Sequence, residues 1–216
     1  MKSNNTLNPT NDVQKLNEVM VSAFKNVGFI RFLTRRINEL SPDVIQIDES
    51  YFTFQERINE HLNQGAQIFE SDDYGAVAIW YPPGVEVATN NRILEKALLQ
   101  EALNQVTELS IKSKKFKRDY FKKQYWYLNT LARNMKKTPT KGSVSALIYP
   151  ILVSAKNSNK SVYVEAITSH ARDIYFHLGF EVRESFTIGK GKIDSQGNDK
   201  ENGEGIEVFL MVIDND

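Results

Sequence analysis

Gln124-Tyr-Trp-Tyr-Leu-Asn-Thr-Leu-Ala132, Gly142-Ser-Val-Ser-Ala-Leu-Ile-Tyr-Pro-Ile-Leu-Val-Ser-Ala155 and Ser161-Val-Tyr-Val-Glu-Ala-Ile167 are the three runs that decide the fold. The first is rich in aromatic and β-branched residues and apolar on both alternating faces, the pattern of a strand covered on both sides. In the second, Val144, Leu147, Ile148, Ile151, Leu152 and Ala155 recur at steps of three and four, which makes one apolar stripe on a helix. The third is a short strand, followed by a helix through Arg172–Leu178 that Gly179 ends. A strand, a helix and a strand in one sheet form a βαβ unit, right-handed in nearly every case. The Lys-, Thr- and Pro-rich turn into the first helix then presents backbone N–H groups at a helix N-terminus, where an anion is favoured. Gln124–Phe180 therefore predicts a ligand that carries phosphate.

Outward from this stretch, composition narrows the choices. A chain of 216 residues supports one sizeable core and requires no second domain. Lys plus Arg and Asp plus Glu each total 27, so no net charge favours nucleic acid or an acidic partner. The absence of cysteine excludes disulfides, thiolate metal sites and a cysteine nucleophile, and it fits a reducing compartment. No apolar run approaches the roughly 18 residues of a membrane span, and Met1–Pro9 contains no secretory h-region. The expectation is a soluble cytoplasmic protein, with nuclear access open, as a monomer or a homodimer. His61, His170 and His177 do not pair at a metal-binding spacing, so no metal is expected. Neither a Gly-x-Ser-x-Gly elbow nor a Gly-x-Gly-x-x-Gly turn occurs, which weakens a hydrolase or dinucleotide-binding reading.

In chain order, residues 1–11 read as a flexible N-terminus and 12–216 as a single domain. Asp12–Phe24 is helical, with Asn11 as its cap, and Val27–Leu40 is a second helix that Ser41-Pro42 breaks. Phe29, Phe32 and Leu33 form an aromatic stripe whose simplest role is core. Phe52–Leu62 is a third helix. Gln67–Glu70 and Tyr74–Tyr81 form a hairpin around Ser71–Gly75, closed by Pro82-Pro83-Gly84. Trp80 and Tyr81 at its end are expected to cover a sheet edge or to line a ligand site. Asn91–Ile111 is a helix, followed by Lys112–Lys123, with seven basic residues in twelve. That run reads first as a solvated helix end and linker, and more distantly as a nucleic-acid surface, because Phe116, Tyr120 and Phe121 interleave the charges. Pro150 should kink its helix. Glu181–Ile188 and Ile206–Ile213 are strands, and Gly189–Gly205, with five glycines, is either loose surface or a flap.

Taken together, Trp126-Tyr-Leu-Asn-Thr-Leu131, Lys141-Gly-Ser-Val-Ser-Ala-Leu-Ile-Tyr-Pro150, Val164-Glu-Ala-Ile-Thr168 and Ile174-Tyr-Phe-His-Leu-Gly-Phe-Glu-Val182 resemble the core of the GNAT N-acetyltransferases. The look is nearest to puromycin acetyltransferase-like members and their fungal relatives, and Ala76–Gly84 resembles the strand before that core. The resemblance implies an α/β (mixed α+β) fold, a strongly bent mixed sheet flanked by helices, that binds acetyl-CoA and acetylates a small amine. It also implies that Leu131, Ala132 and Arg133 offer backbone to the pantetheine arm. Lys141, Gly142, Ser143, Val144 and Ser145 would hold the pyrophosphate. Tyr175 would protonate the departing thiolate and contact the coenzyme, and Glu165 would accept the amine proton or orient the acceptor. Lys114, Lys115, Lys117 and Arg118, with Lys136, Lys137 and Lys141, could steer the coenzyme's 3′-phosphate.

The loop departs from the family's Gln/Arg-x-x-Gly-x-Gly/Ala signature. Pro139-Thr-Lys-Gly-Ser-Val144 keeps only Gly142, with Pro139 or Thr138 in place of the Gln/Arg and Val144 in place of the final small residue. Two functions therefore remain open, a catalytic N-acetyltransferase and a degenerate module that binds coenzyme A or another ligand without catalysis.

Overall fold

Alternating and three-to-four-residue apolar periods fold as the strands and helices they imply. The computed structural model describes residues 7–42, 44, 46–85, 87 and 100–215. Its strands are β1 Asn8–Pro9, β2 Gln67–Ser71, β3 Ala76–Tyr81, β4 Trp126–Arg133, β5 Val162–Ala166, β6 Glu181–Ile188 and β7 Ile206–Ile213. Its helices are α1 Val13–Phe24, α2 Gly28–Ile37, α3 Gln55–Asn63, α4 Gln100–Tyr120, α5 Ser143–Asn157 and α6 Ser169–His177. The strands form one mixed sheet in the order β1-β2-β3-β4-β5-β7-β6. Every neighbouring pair is antiparallel except β4 and β5, the parallel pair that α5 connects.

Strand alternation divides the core. Ala76, Ala78 and Trp80 of β3 point toward α5, where Leu147, Ile148, Ile151 and Ala155 complete an aliphatic layer that also holds Tyr175 and Phe180. Val77 and Ile79 point the other way, into a layer with Leu16, Val19 and Met20 of α1 and Ile58 of α3. On that second face Tyr81, Tyr127 and Tyr163 join Phe29 and Phe32 of α2 and Phe116 of α4 in an aromatic layer. Trp80 and Tyr81 therefore lie on an interior strand and are fully buried, rather than covering an edge. The Trp80 indole donates to the Leu147 carbonyl at 3.2 Å. That carbonyl follows the Ala146 carbonyl, which Pro150 leaves without its helical donor.

Four expectations change. Asn8–Pro9, expected to fray, pair with Glu70 and Phe69, and proline is tolerated there because β1 is an edge strand. The cap of α1 is Asp12, which accepts from the Lys15 amide at 3.1 Å, rather than Asn11. Of the proposed Asn91–Ile111 helix, residues 91–99 lie outside the described residues. The basic run after it is no linker, since α4 continues to Tyr120. Its aromatics face inward: Phe116 stacks on Tyr120 (centroids 4.9 Å apart) and on Tyr163 (5.7 Å), which removes the stacking platform a nucleic acid would need.

Gly189–Gly205 is packed onto α2. Asp194 Oδ1 accepts from the Gln196 and Asn198 amides, each at 2.9 Å, and Arg35 donates to Asn198 Oδ1 at 3.0 Å. Arg31 donates to the Gln196 carbonyl at 3.2 Å, and Arg36 pairs with Asp199. The contact requires glycine: a Cβ on Gly28 would lie 2.2 Å from the Ser195 carbonyl oxygen, and one on Gly197 would lie 2.0 Å from the Gly28 oxygen. Backbone cannot yield as a flexible side chain can. Gly28→Ala should therefore lower stability by about 1–3 kcal/mol, read as a lower urea midpoint at unchanged m-value.

Candidate active site

β4 and β5 pair at only three positions, Trp126–Val162, Tyr127–Tyr163 and Leu128–Val164. Among the described residues, β4 beyond Leu128 keeps β3 on one edge and has no strand on the other, and β5 beyond Val164 keeps only β7. The sheet is split there. A bulge sits at the fork, because the β3–β4 register passes from Ile79–Thr130 to Trp80–Leu128 and skips Asn129. The extra residue turns the strand by one position, so Leu131, like Leu128, faces α5, whereas Ala132 packs toward α1. Asn129 donates to the Tyr127 hydroxyl at 3.2 Å and accepts from the Thr130 hydroxyl at 2.9 Å.

α5 begins on the same side of the split. Gly142 has φ +92° at the N-cap, and no side chain caps the helix. The space a Cβ would occupy there is open to 4 Å, so the first-turn N–H groups of Val144 and Ser145 face a surface that can admit an anion. Lys141 is exposed beside it. Ser143 is buried, and its carbonyl accepts from the Ser71 hydroxyl at 2.8 Å, which ties the helix start to β2. Val144 packs against the aliphatic layer, so its side chain points into the core rather than across the loop. Lys136 pairs with Glu49 and Lys137 with Asp73, so among the loop lysines named above those two already face carboxylates. The Arg133 guanidinium turns to Met135 Sδ at 3.1 Å, which leaves its backbone as its contribution to the β4 edge.

Tyr175 is fixed by the Leu178-Gly179-Phe180 cap. The Phe180 amide donates to the Tyr175 carbonyl and the Gly179 amide to the Phe176 carbonyl, both at 3.0 Å, with Gly179 at φ +94°. This is a Schellman cap, and its usual apolar contact is the Tyr175–Phe180 ring pair, 5.7 Å between centroids. Tyr175 is 7% exposed, and burial pushes its phenol well above the ordinary value. Its hydroxyl bonds to no described residue, yet it is not among the buried unpartnered polar atoms. The hydroxyl therefore reaches solvent.

Glu165 is the first β5 residue past the fork and, by strand alternation, lies on the opposite face from Tyr175, beside Tyr163. The Tyr163 hydroxyl donates to Glu165 Oε1 at 2.9 Å, and Lys117 Nζ lies 3.8 Å from the same oxygen. Lys117 also lies 4.9 Å from the Tyr127 ring centroid and 5.7 Å from that of Tyr163. Burial, then the charge of Glu165, raises both phenols well above their ordinary value. Further along this face His61 Nδ1 is 2.6 Å from the Tyr81 hydroxyl, which donates to Gln64 Oε1 at 3.2 Å. Burial, then the charge of Arg57, lowers the imidazole to about 3.

The expected residues occupy these places. Leu131, Ala132 and Arg133 run along the unpaired β4 edge, Lys141–Ser145 form the helix start, and Tyr175 and Glu165 lie on either face. No sequence motif gives Asn129, Tyr127 or Tyr163 a role, and Lys117, expected as a solvated or coenzyme-steering charge, turns inward. Polar Asn129-Thr130 in an otherwise apolar strand, and tyrosines at i and i+2 from Tyr125, were the available signals.

The chain is similar to known proteins in sequence and in fold. A family model described as the YOR012W acetyl transferase domain matches residues 8–86. The uncharacterized protein YDR391C of Saccharomyces cerevisiae is 28% identical over 213 residues, 98% of this chain and 88% of that protein. Arylalkylamine N-acetyltransferase 2 from Aedes aegypti superposes with a TM-score of 0.61 at 12% identity, over 98% of this chain and 99% of that one. Polyamine N-acetyltransferase of Drosophila melanogaster gives 0.59 at 8% identity, over 97% and 99%. The fold is that of the GNAT acetyltransferases, a mixed sheet flanked by helices.

Because His61 is buried neutral, the unfolded chain takes up a proton between about pH 6.5 and 3 that the folded chain refuses. Stability should fall as pH drops through that window, by up to about 1.4 kcal/mol per pH unit. His61→Gln should flatten this slope in urea titrations at successive pH values.

Proposed function

We propose that the protein is an acetyl-CoA-dependent N-acetyltransferase acting on the primary amine of a small molecule. The observation that carries this is the fork: a buried phenol and a carboxylate on opposite faces of β5, where β4 offers a free backbone edge. The named activities of the similar folds, transfer to arylalkylamines and polyamines, support an amine acceptor. The likeness of the core motifs to puromycin acetyltransferase-like members supports a small one. Acetyl-CoA suits the residues present, since the start of α5 is open and uncapped and the inward Val144 leaves the loop backbone accessible. Backbone N–H groups of Val144 and Ser145, with Lys141, would hold the pyrophosphate, and the β4 edge from Asn129 to Arg133 would bond the pantetheine amides. Bound, the coenzyme supplies an acetyl thioester.

In this reading Glu165 takes the proton of the acceptor ammonium, directly or through one water, and Tyr163 orients the carboxylate by its 2.9 Å bond. Tyr175 gives its proton to the departing sulfur; its raised pKa keeps it protonated through neutral and mildly alkaline pH. Two assays test the proposal. Acetyl-CoA at 100 times its dissociation constant should stabilise the fold by about 2.7 kcal/mol, and a panel of amines should include one that releases free coenzyme A. Neither effect at millimolar ligand would overturn it.

Tyr175→Phe keeps the ring that packs on Phe180 and removes a hydroxyl with no partner to orphan. Stability and acetyl-CoA affinity should stay near those of the unmodified protein, while turnover falls by about 10²–10⁴-fold. The lower end is expected because a thiolate leaves readily. Undiminished turnover would remove Tyr175 from the mechanism.

A further inference from the structure

We propose that Lys117 is an internal acetyl acceptor: the protein modifies its own Lys117 Nζ, and the modification releases Glu165. The inference rests on the N-acetyltransferase reading above. Lys117 differs from the other described cations of its segment in where it points. Lys112 pairs with Glu108 at 2.7 Å, Arg118 with Asp119 at 2.8 Å, and Lys115 is exposed. The Lys117 side chain is only 18% exposed and turns inward from α4. Its ammonium lies between the Tyr127 and Tyr163 rings, 3.8 Å from the carboxylate at the fork. A cation held by aromatic faces and one carboxylate has the surroundings of a bound alkylammonium. One helical turn earlier, Ser113 is buried on the same inward face and interacts with the Tyr163 phenol.

The step balances with an acetyl thioester as co-reactant. Glu165 takes one proton from the ammonium, and the freed Nζ lone pair forms the N–C bond to the acyl carbon. The C–S bond breaks, and the sulfur takes the Tyr175 proton. Glu165 then returns its proton to water, and the second proton that the nitrogen loses on becoming an amide replaces the one Tyr175 gave to sulfur, so that one proton is released per acetyl transferred. The product amide carries no charge. It loses both the attraction to Glu165 and the cation–aromatic contacts, and the carboxylate is then free for an incoming amine.

The test is to incubate the whole protein with acetyl-CoA and map acetylation by peptide mass spectrometry over time. Lys117 should be modified faster than exposed Lys115, at a rate independent of protein concentration. Glu165→Gln should slow Lys117 by about 10²-fold and leave Lys115 unchanged. A second readout needs no acetyl donor. In the free protein the Lys117 ε-methylene resonances should be shifted upfield by the two rings and should move in Glu165→Gln. Lys117 acetylation no faster than that of Lys115, or unaffected by Glu165→Gln, overturns the proposal, as do unshifted resonances. If amines still release coenzyme A in that case, the N-acetyltransferase reading stands without it. If they do not, and acetyl-CoA gives no thermal shift, both fall.

Discussion

The parting of β4 from β5 after three residue pairs is the constraint on which the site depends. Each strand keeps one complete ladder, β4 with β3 and β5 with β7, so the split removes hydrogen bonds from one edge of each and leaves the sheet continuous. The bulge at Asn129 supplies the divergence, since an unpaired extra residue bends and twists its strand locally. Backbone groups left on the inner edge must find water or a ligand, because buried and unpaired they would cost about 1–3 kcal/mol each. A split of this kind is stable only as an open cleft, and an extended chain with amide groups is the occupant that matches it.

Alternation along β5 then assigns the two faces different chemistry. Val164 and Ala166 face the aliphatic layer under α5 and α6, a low-dielectric setting that holds the Tyr175 phenol protonated. Tyr163 and Glu165 face the aromatic layer, where a hydroxyl donor and an ammonium group meet the carboxylate. A phenol and a carboxylate on one face hydrogen-bond to each other, as Tyr163 and Glu165 do; Tyr175 and Glu165 lie on different faces. With the sheet between them, only a molecule lying in the fork can engage both.

Much of this was legible in the sequence, and the reason differs from part to part. Strand and helix periods fixed β7 to the residue and β4, α5 and β5 to within two, because their apolar stripes are long, and β6 to the residue because Gly179 and Gly189 bracket it. β1 was invisible: Asn8–Pro9 has no strand propensity, and it pairs only because β2 presents an edge. The helical course of Lys112–Tyr120 was hidden by its charge. Its inward face is Ser113, Phe116, Lys117 and Tyr120, a helical spacing in which a lysine takes the place of an apolar residue. Gly189–Gly205 looked loose because its composition is polar, yet its order comes from arginines of α2 on the far side of the sequence.

That contrast explains why a motif finds Tyr175 and not the surroundings of Glu165. The Tyr175 ring is placed by residues three to five positions away, through a cap that Leu178-Gly179-Phe180 writes into the chain. The carboxylate at the fork is placed by strand parity, by Lys117 from a helix before β4, and by an aromatic layer that α2 helps to close. α2 in turn is fixed by Gly28 against the Ser195 carbonyl and by Arg35 on Asn198. Each link joins segments distant in sequence, so no short run of residues encodes it. Gly28 thus holds in place the helix whose Phe29 and Phe32 complete the aromatic layer on the Glu165 side of the sheet.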